Sequence, residues 1–374
     1  MKNEWKSYEL GQLLIYEQPT AYIVQSTDYS DNYDIPVLTA GKSFILGYTN
    51  ETDGVFDRLP VIIFDDFTTA TQYVNFRFKV KSSAMKILNI NTEFVLPKYI
   101  FYRMQIIQFD HSTHKRYWIQ EYSKIKVAIP PIEEQQRIVT RIEELFSELD
   151  SAVETLQKTK QQLEVYRQAV LKEAFAECES TVKVNDVCKH VTDGDHMPPP
   201  KAETGIPFIM ISNIDKNVIN WNGTAFVNRE YYENINDKRR PQKGDVLYTV
   251  TGSFGIPVLV DFDREFCFQR HIALLRPNNR IIQKYLYYVM QESEVYQQAE
   301  KKSTGTAQKT VSLSVLRNIE IPFVESVKEQ ERIVEKIESQ LYVCDGIERT
   351  IEESLQQAEA MRQSILKKAF EGRL

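Results

Sequence analysis

The chain has 374 residues, of which 42% are hydrophobic and 26% charged, a composition typical of a soluble protein with room for two domains. No run of 18 apolar residues occurs and the start has no apolar core, so we expect neither a membrane span nor a signal peptide. The net charge of −6 excludes a strongly basic, non-specific nucleic-acid binder, and four separated cysteines without a C-x-x-C pair argue against a zinc module and for the reducing cytoplasm.

The first predicted globular region, 1–130, mixes strand-like and helical patterns. PVIIFDDF at 60–67 is typical of a buried strand, and KYIFYRMQ at 98–105 of a short helix. Between them lies a threonine-rich stretch whose hydroxyl and amide groups can reach the edges of bases, or which forms an exposed strand. The candidate DNA contacts there are Thr68, Thr69, Thr71, Gln72 and Tyr73.

A polar loop at 111–124 follows the short helix. Its cationic and aromatic side chains fit contact with DNA phosphates, and a solvated surface loop is the alternative. The candidate contacts in this loop are Lys115, Arg116 and Tyr117. Lys42, earlier in the chain, is a further phosphate contact or plain surface charge.

Ile-Pro-Pro at 129–131 ends the first region, and a helical spacer is predicted over 131–179. Apolar or small residues recur there at alternating steps of four and three, which is a heptad seam. The seam runs through Ile138, Ile142, Leu145, Leu149, Ala152, Leu156, Thr159, Leu163, Tyr166 and Val170. One such helix alone would expose its seam, so we expect it to pack against a second helix.

The second globular region, 180–323, has strand patterns at 244–250 and 271–277, so both regions are expected to be α+β, a mixed α/β architecture. TVTGSFGIP follows the first of these strands, and its glycines either let the backbone approach DNA closely or form a tight turn. The candidate DNA contacts beside the two strands are Thr251, Ser253, Phe254, Gln269, Arg270 and His271. A structural salt bridge is the alternative for Arg270.

A second polar loop, 301–314, follows KYLYYVMQ at 284–291, just as the first loop follows KYIFYRMQ. Its lysine, hydroxyl and amide groups again fit DNA contact, with a solvated loop as the alternative. The candidate contacts are Lys301, Lys302, Ser303, Thr306 and Gln308. KRRPQK at 238–243 adds phosphate contacts or surface charge.

A second helical spacer, 324–374, repeats the first. Glu134–Glu177 aligns without gaps to Glu329–Gly372, with 18 of 44 positions identical. The second seam is weaker, since Gln340 and Ser354 lie in it. It runs through Ile333, Ile337, Gln340, Cys344, Ile347, Ile351, Ser354, Ala358, Met361 and Ile365. Because a whole globular region lies between the two helices, we expect them to form an antiparallel coiled coil with internal pseudo-twofold symmetry.

The two spacers are acidic, and the rest of the chain is slightly basic. Segments 132–179 and 324–374 carry net charges of −5 and −3, which leaves +2 for the remaining residues. The overall charge therefore allows a local DNA-facing field on the globular regions.

IPPIEEQQRIV, the second IP…EQERIV and the terminal SILKKAFEGRL resemble the repeated regions of specificity subunits of type I restriction-modification systems. GDVLYTVTGSFGIPVLVD and FCFQRHIALLRP resemble a target-recognition domain of that family. The resemblance implies two target-recognition domains, 1–130 and 180–323, each reading half of a split double-stranded DNA site. The chain departs from the family's pattern at the second hinge, IPFVESVKEQ, which is three residues longer than the first, IPPIEEQ.

The resemblance also implies partners. Two modification (methyltransferase) subunits would dock on the chain and restriction (endonuclease) subunits could join them, with S-adenosylmethionine, ATP and Mg on these partners and no cofactor on this chain. The segments YRQAVLKEAF and MRQSILKKAF end the two spacers almost identically, which suits two copies of one partner. Their candidate docking residues, expected to be exposed, are Leu171, Phe175, Leu366 and Phe370.

We predict no catalytic and no metal-binding residue. The sequence has no Asn/Asp-Pro-Pro-Tyr loop for a flipped base, and Pro36 stands where a phosphate loop at Gly41-Lys42 would need glycine. His111 and His114 are more simply solvated loop histidines, and Asp65-Asp66 a strand-end turn. The alternatives to a DNA-reading subunit are a protein-interaction scaffold and, less favoured, a stand-alone modification enzyme.

Overall fold

The computed structural model describes residues 5–39, 43–109, 116–194, 199–305 and 308–374. Within them the chain is α+β, as predicted, and forms two compact units. Unit 1 comprises Met1–Leu156 and Glu353–Leu374, and unit 2 comprises Gln157–Glu352. Each unit contains one globular region and part of both long helices. The four-segment division of the chain stays a prediction.

Unit 1 begins with short strands and helices that precede the first long helix. They are β1 (Lys6–Glu9), α1 (Leu10–Leu13), β2 (Leu14–Glu17), β3 (Ile35–Leu38), β4 (Ile45–Thr49), β5 (Val61–Asp65), β6 (Thr71–Val74), β7 (Lys79–Val80), β8 (Met85–Ile90), α2 (Pro97–Met104), α3 (Tyr117–Gln120), β9 (Lys126–Ile129) and α4 (Ile132–Phe175). Single 3-10 turns occur at Pro19–Tyr22 and Tyr122–Lys124.

Unit 2 continues from the end of α4 to the second long helix. Its elements are β10 (Ser180–Lys183), α5 (Val184–Val187), β11 (Cys188–Asp193), β12 (Ile206–Ile209), β13 (Ile214–Asp215), β14 (Val218–Ile219), β15 (Ala225–Val227), α6 (Arg229–Asn234), β16 (Val246–Thr249), β17 (Pro257–Leu259), β18 (Cys267–Phe268), β19 (Ile272–Pro277), α7 (Gln283–Val289), α8 (Ser293–Lys301), α9 (Leu313–Arg317), β20 (Glu320–Phe323) and α10 (Val327–Glu371). Short 3-10 turns lie at Ile211–Asn213 and Asp237–Arg239.

The two units share a strand topology, apart from the pair β13-β14, which among the described residues occurs in unit 2 only. In unit 1 a four-stranded antiparallel sheet has the order β2-β8-β5-β6, and in unit 2 the equivalent sheet has the order β11-β19-β16-β17. The three-stranded sheets β4-β3-β7 and β15-β12-β18 correspond in the same way, each with one antiparallel and one parallel pair. The pairs β1-β9 and β10-β20 complete the match. The duplication seen in the helices therefore extends to the globular regions.

One buried glutamine fixes the start of each long helix. Gln135 accepts a hydrogen bond from the N–H of Leu96 at 2.7 Å and donates to the carbonyls of Phe94 and Pro130. Gln330 accepts from Ile282 at 2.9 Å and donates to the carbonyls of Arg280 and Val324. Both side chains are fully buried. Because each closes three backbone groups, the repeated E-Q motif after the proline hinge has a structural purpose in both units.

The long helices pack antiparallel within each unit. In unit 1 the first turns of α4, with Ile138 and Ile142, bury their apolar face against Leu366 and Phe370 near the end of α10. In unit 2 the partners run in the same sense, since Lys160 pairs with Glu352 and Lys336 with Glu173. The predicted antiparallel coiled coil is confirmed.

The seam differs from the predicted heptads at two pairs of equivalent positions. Tyr166 and Met361 are 51% and 53% exposed, and the neighbouring arginines face the other helix in their place. Arg167 pairs with Glu348 at 3.0 Å, and Arg362 pairs with Asp150. The predicted seam residues Ala152 and Ile347 are likewise exposed. A straight helix has 3.6 residues per turn, so a strict 3.5-residue register drifts until charged residues enter the seam.

Candidate nucleic-acid interface

In unit 2, polar residues predicted on three separate stretches lie together at one end of the four-stranded sheet. Val250, just beyond β16, donates its N–H to the carbonyl of His271 at 2.9 Å and accepts from Val311 at 2.8 Å. Gly252 donates to the carbonyl of Lys309 at 2.9 Å. These bonds join residues 250–253, 269–271 and 308–313 into what we call the strand-end surface of unit 2.

This surface contains a groove of about 430 Å³ whose lining includes Arg270, His271, Gln308, Ser312 and Asp193. Arg270 is exposed, with its Nε 3.5 Å from Nε2 of His271. None of the described carboxylates lies within ion-pair distance of Arg270, so the alternative of a structural salt bridge finds no support among them. An unpaired guanidinium beside amide and hydroxyl groups is the combination that contacts guanine or a phosphate.

One predicted contact of unit 2 is structural instead. Phe254 is only 7% exposed because its ring stacks on that of Tyr296, with centroids 5.1 Å apart and an interplanar angle of 7°. The prediction that the Phe254 side chain faces DNA is therefore wrong, since the ring belongs to the core. Gly255 follows with φ +93°, and a Cβ there would lie 2.5 Å from the Tyr296 ring, so glycine is required.

The other candidates of unit 2 stay predictions. Thr251 is buried but lines the groove, and Ser253 is exposed beside it. Gln269 is half-buried and donates its N–H to the carbonyl of Ile209 at 3.0 Å. Among the loop candidates, Lys301 and Lys302 are exposed and Ser303 is half-buried. Thr306 lies outside the described residues.

In unit 1, the turn after β5 meets the start of α3. Asp65 accepts hydrogen bonds from the N–H groups of Phe67 and Thr68, which confirms the predicted strand-end turn. The carbonyl of Asp66 accepts from Tyr117 at 3.0 Å, and this bond is equivalent to the one from Val311 to Val250 in unit 2. Residues 65–73 and 116–118 form the strand-end surface of unit 1.

The side chains on this surface differ in exposure. Thr68, Gln72 and Arg116 are exposed, and Thr69, with φ +57°, is half-buried. Thr71 accepts a hydrogen bond from Gln105 at 2.5 Å, and Tyr73 packs on Phe101 with ring centroids 5.7 Å apart.

One candidate of unit 1 is corrected, and two cannot be placed. Tyr117 is 1% exposed because its ring packs edge-on against Phe109 at 4.9 Å, so its prediction as a DNA contact is wrong. Lys42 and Lys115 lie outside the described residues, as do His111 and His114.

A buried ion pair supports the strand-end surface of unit 1. Asp66 and Lys86 are each 2% exposed, with Oδ2 and Nζ 3.5 Å apart. The other oxygen of Asp66 accepts from the N–H of Trp118 at 2.8 Å, and Lys86 also donates to Gln18 at 2.9 Å. Asp66 thereby fixes the chain next to Arg116 by its carbonyl and its carboxylate. Lys86 is not among the residues predicted from the sequence, and its position inside the strand MKILNI was the available signal.

Basic residues adjoin the strand-end surface of unit 2. Arg239, in the predicted KRRPQK stretch, pairs with Asp193 of the groove at 3.3 Å. Arg276 forms two hydrogen bonds to the carboxylate of Asp245. Partial burial, with the positive charges of Lys238 and Arg276 close by, lowers the pKa of His190. Burial is the larger cause of this shift, and the neighbouring positive charges add to it.

The four predicted docking residues are buried within their own units. Leu171 and Phe175 are 2% and 4% exposed in the core of unit 2, and Leu366 and Phe370 are 3% and 7% exposed in that of unit 1. The prediction that these side chains are exposed is wrong. A shared contact explains why both spacers end alike: Phe175 packs edge-on against Tyr285 at 5.2 Å, and Phe370 against Tyr99 at 5.3 Å.

Two units of shared topology, each with polar side chains at the same strand end, form a duplicated scaffold suited to DNA recognition. Residues 2–165 and 178–357 match the family model described as the type I restriction modification DNA specificity domain. This match spans most of the chain, and the chain belongs to that family.

Curated relatives agree with the family match. The chain is 31% identical over 383 residues to the type I restriction enzyme EcoR124I/EcoR124II specificity subunit of Escherichia coli, covering 96% of this chain and 91% of that protein. It is 26% identical to the EcoBI specificity subunit of the same species over 276 residues, which cover 66% of this chain and 58% of that protein.

Solved structures agree on the fold. A chain from a study of complex assembly and conformational transition of the type I R-M system matches with a TM-score of 0.70 at 19% identity, over 100% of this chain and 99% of that one. The HsdS subunit from Thermoanaerobacter tengcongensis matches with a TM-score of 0.50 at 18% identity, over 100% and 98% of the two chains. Among the described residues, no helix has the length and apolar character needed to cross a bilayer.

Proposed function

We propose that this chain reads a split DNA site as the specificity subunit of a type I restriction-modification complex, with each unit reading one half. The observation that carries the proposal is the shared topology of the two units combined with different polar residues at equivalent strand ends. To read two unlike half-sites, a protein needs a common scaffold whose loops carry different side chains. The two long helices, each shared by both units, would connect the readers.

The chain itself would be non-catalytic and would bind no cofactor. Its strand-end surfaces carry amide, hydroxyl and guanidinium groups suited to hydrogen bonding with bases. The methyl donor would be bound by modification subunits, and ATP with Mg by restriction subunits. Its site of action would be the cytoplasm, where it meets cellular DNA.

Two copies of one modification subunit would recognise a surface that both units display. Such a surface occurs near the start of each long helix, where Glu143 and Glu338 pair with Lys98 and Lys284 at equivalent positions. These pairs are partly exposed, whereas the four docking residues predicted from the sequence are buried. Recognition of the shared surface would leave the divergent strand ends free for DNA.

The test is co-expression with a modification subunit, affinity capture and footprinting on random-sequence DNA. The proposal predicts a footprint in two protected blocks separated by an unprotected spacer, and adenine methylation within the selected site. Capture of protein partners without DNA protection would favour a protein-interaction scaffold instead. Methyl transfer by the isolated chain would contradict the non-catalytic assignment.

A further inference from the structure

Unit 1 has an open groove beside α2, lined by residues of α2, the following loop and the end of α10. Its volume is about 700 Å³. The polar lining consists of Arg103, Gln105, Gln108, Gln363, Lys367 and Glu371. Five of these six side chains carry N–H donors, and Glu371 pairs with Arg373 at 3.2 Å. The groove therefore offers two cationic groups and three amide groups, beside one carboxylate that already has a partner.

Arg103 lies half-buried in this groove without an anion. Its guanidinium lies over the ring of Phe370, 5.4 Å from the centroid, and burial lowers the pKa of this arginine. No carboxylate in the described parts of the chain is within ion-pair distance of Arg103 or of Lys367. A half-buried cation is costly to leave unpaired, so this arrangement favours an external anion.

Unit 2 shows what occupies the equivalent place. Lys172 is the counterpart of Lys367 in the helical repeat. It lies near Glu292, a carboxyl group whose pKa is raised by burial and by Glu294, and the charge of Lys172 partly offsets this rise. Unit 1 has Ile106 at the position of Glu292, and Arg103 at the position of Val289. Unit 2 thus has a carboxyl group of its own near this lysine, whereas unit 1 has an additional cation there, and the one carboxylate that lines its groove, Glu371, pairs with Arg373.

A helix of unit 2 follows this point of the chain, whereas the described residues that follow α2 in unit 1, 105–109, form no helix. Between Gln291 and Val311, unit 2 has eight more residues than unit 1 has between Gln105 and Tyr117. Unit 2 forms α8 there, and its Val295 and Ala299 are buried in the core. The groove in unit 1 lies at the position where unit 2 begins this helix.

We propose that this groove binds a backbone phosphate of the target DNA, held by Arg103 and Lys367 with glutamine amides around it. The location favours DNA, because Gln105 lines the groove and donates a hydrogen bond to Thr71 of the strand-end surface at 2.5 Å. Guanidinium, ammonium and amide groups are the usual donors to phosphate oxygens. The inference rests on the proposed function and adds a phosphate contact to unit 1 that unit 2 lacks.

The test uses the complex of this chain with its modification subunit and measures DNA affinity against salt concentration. The variants are Arg103→Met, which retains the stem over Phe370, Lys367→Met, and the double variant. Lys172→Met, at the equivalent position of unit 2, is the matched control. We expect the double variant to lose roughly tenfold or more in affinity at low salt, and its salt slope to fall by about 1 to 2, equally on cognate and random DNA. The control should match the wild type.

A second measurement guards against a folding defect in Arg103→Met. Each backbone phosphate of the cognate DNA is replaced in turn by a neutral methylphosphonate. At one position this replacement should weaken binding by the wild type clearly more than binding by Lys367→Met, in which an exposed side chain is changed. Unchanged affinity and slope in the double variant, or loss of the modification subunit instead of DNA, would overturn the phosphate site. Failure of the wild-type complex to bind DNA would instead contradict the proposed function.

Discussion

Behind their strand-end surfaces, the two units support the same backbone with opposite chemistry. Unit 1 has the buried ion pair of Asp66 and Lys86, whereas unit 2 has Val250 and Ala273 at the equivalent positions. The backbone bond to the following loop is nevertheless the same in both, from Tyr117 to Asp66 and from Val311 to Val250. The duplicated scaffold thus fixes backbone geometry, while side chains around the strand end vary.

The largest effect is expected from changes to the buried ion pair of unit 1, which unit 2 replaces by two apolar residues. Asp66→Asn would leave Lys86 buried without its counter-charge, so we expect unit 1 to lose about 3–5 kcal/mol of stability. The double change Asp66→Val with Lys86→Ala copies unit 2 and should recover most of this loss, because an apolar pair needs no desolvation. Chemical denaturation of the three proteins measures the difference. If Asp66→Asn were as stable as the wild type, the ion pair would not support unit 1.

The buried glutamines at the starts of the two long helices, Gln135 and Gln330, allow a test of a feature that both units share. Gln135→Ala and Gln330→Ala each leave three backbone groups, most of them partly buried, without their partner, and we expect each to cost about 2–4 kcal/mol. The two losses should be similar, because the hydrogen bonds are equivalent. Thermal unfolding of the two variants side by side measures this. A large loss in one variant only would show that the hinges are not functionally equivalent.

The groove in the strand-end surface of unit 2 allows a test of side chains in which the two units differ. Arg270→Ala removes an unpaired guanidinium from the strand-end surface, and we expect it to cost about 1–3 kcal/mol of discrimination at one position if Arg270 reads a base. Arg116→Ala is the matched variant in unit 1 and should affect the other half-site. Competition binding with single-base substitutions in each half-site measures both. A uniform loss on every sequence would assign Arg270 to a phosphate.

The smallest effect is expected at a position where the two helical repeats differ. Gly346 lies inside α10, at the position of Ser151 in α4, and a Cβ there would meet nothing within 4 Å. Gly346→Ala should therefore stabilise the chain by about 0.5–1 kcal/mol through a lower helix-forming cost. A small rise in the unfolding midpoint, without change in DNA affinity, is the expected readout. Destabilisation would show that α10 needs glycine at this point.

The repeat and its periodicity predicted the helices because these signals are local. The shared E-Q motif and the matching KYIFYRMQ and KYLYYVMQ segments predicted corresponding units, and both segments form short helices in the structure. Side-chain burial was harder to predict. Phe175 and Phe370 read as exposed helix ends because the tyrosines that cover them, Tyr285 and Tyr99, are distant in sequence.

The candidate sites show the same limit. Composition identified the polar stretches of unit 2, and the structure brings three of them together. Composition could not separate Arg270, which is exposed, from Phe254, which is stacked on Tyr296. The groove at Arg103 gave no sequence signal, because its lining comes from two segments, 103–108 and 363–371, that are distant in sequence.

Sequencing of methylated adenines tests the central claim most directly. Cells that express this chain with its modification subunit would be compared with cells that express the Arg270→Ala variant. The account predicts a methylated motif of two short blocks separated by a fixed gap, with altered sequence preference in one block only for the variant. A single contiguous motif, or a change in both blocks together, would contradict two independent readers on one chain.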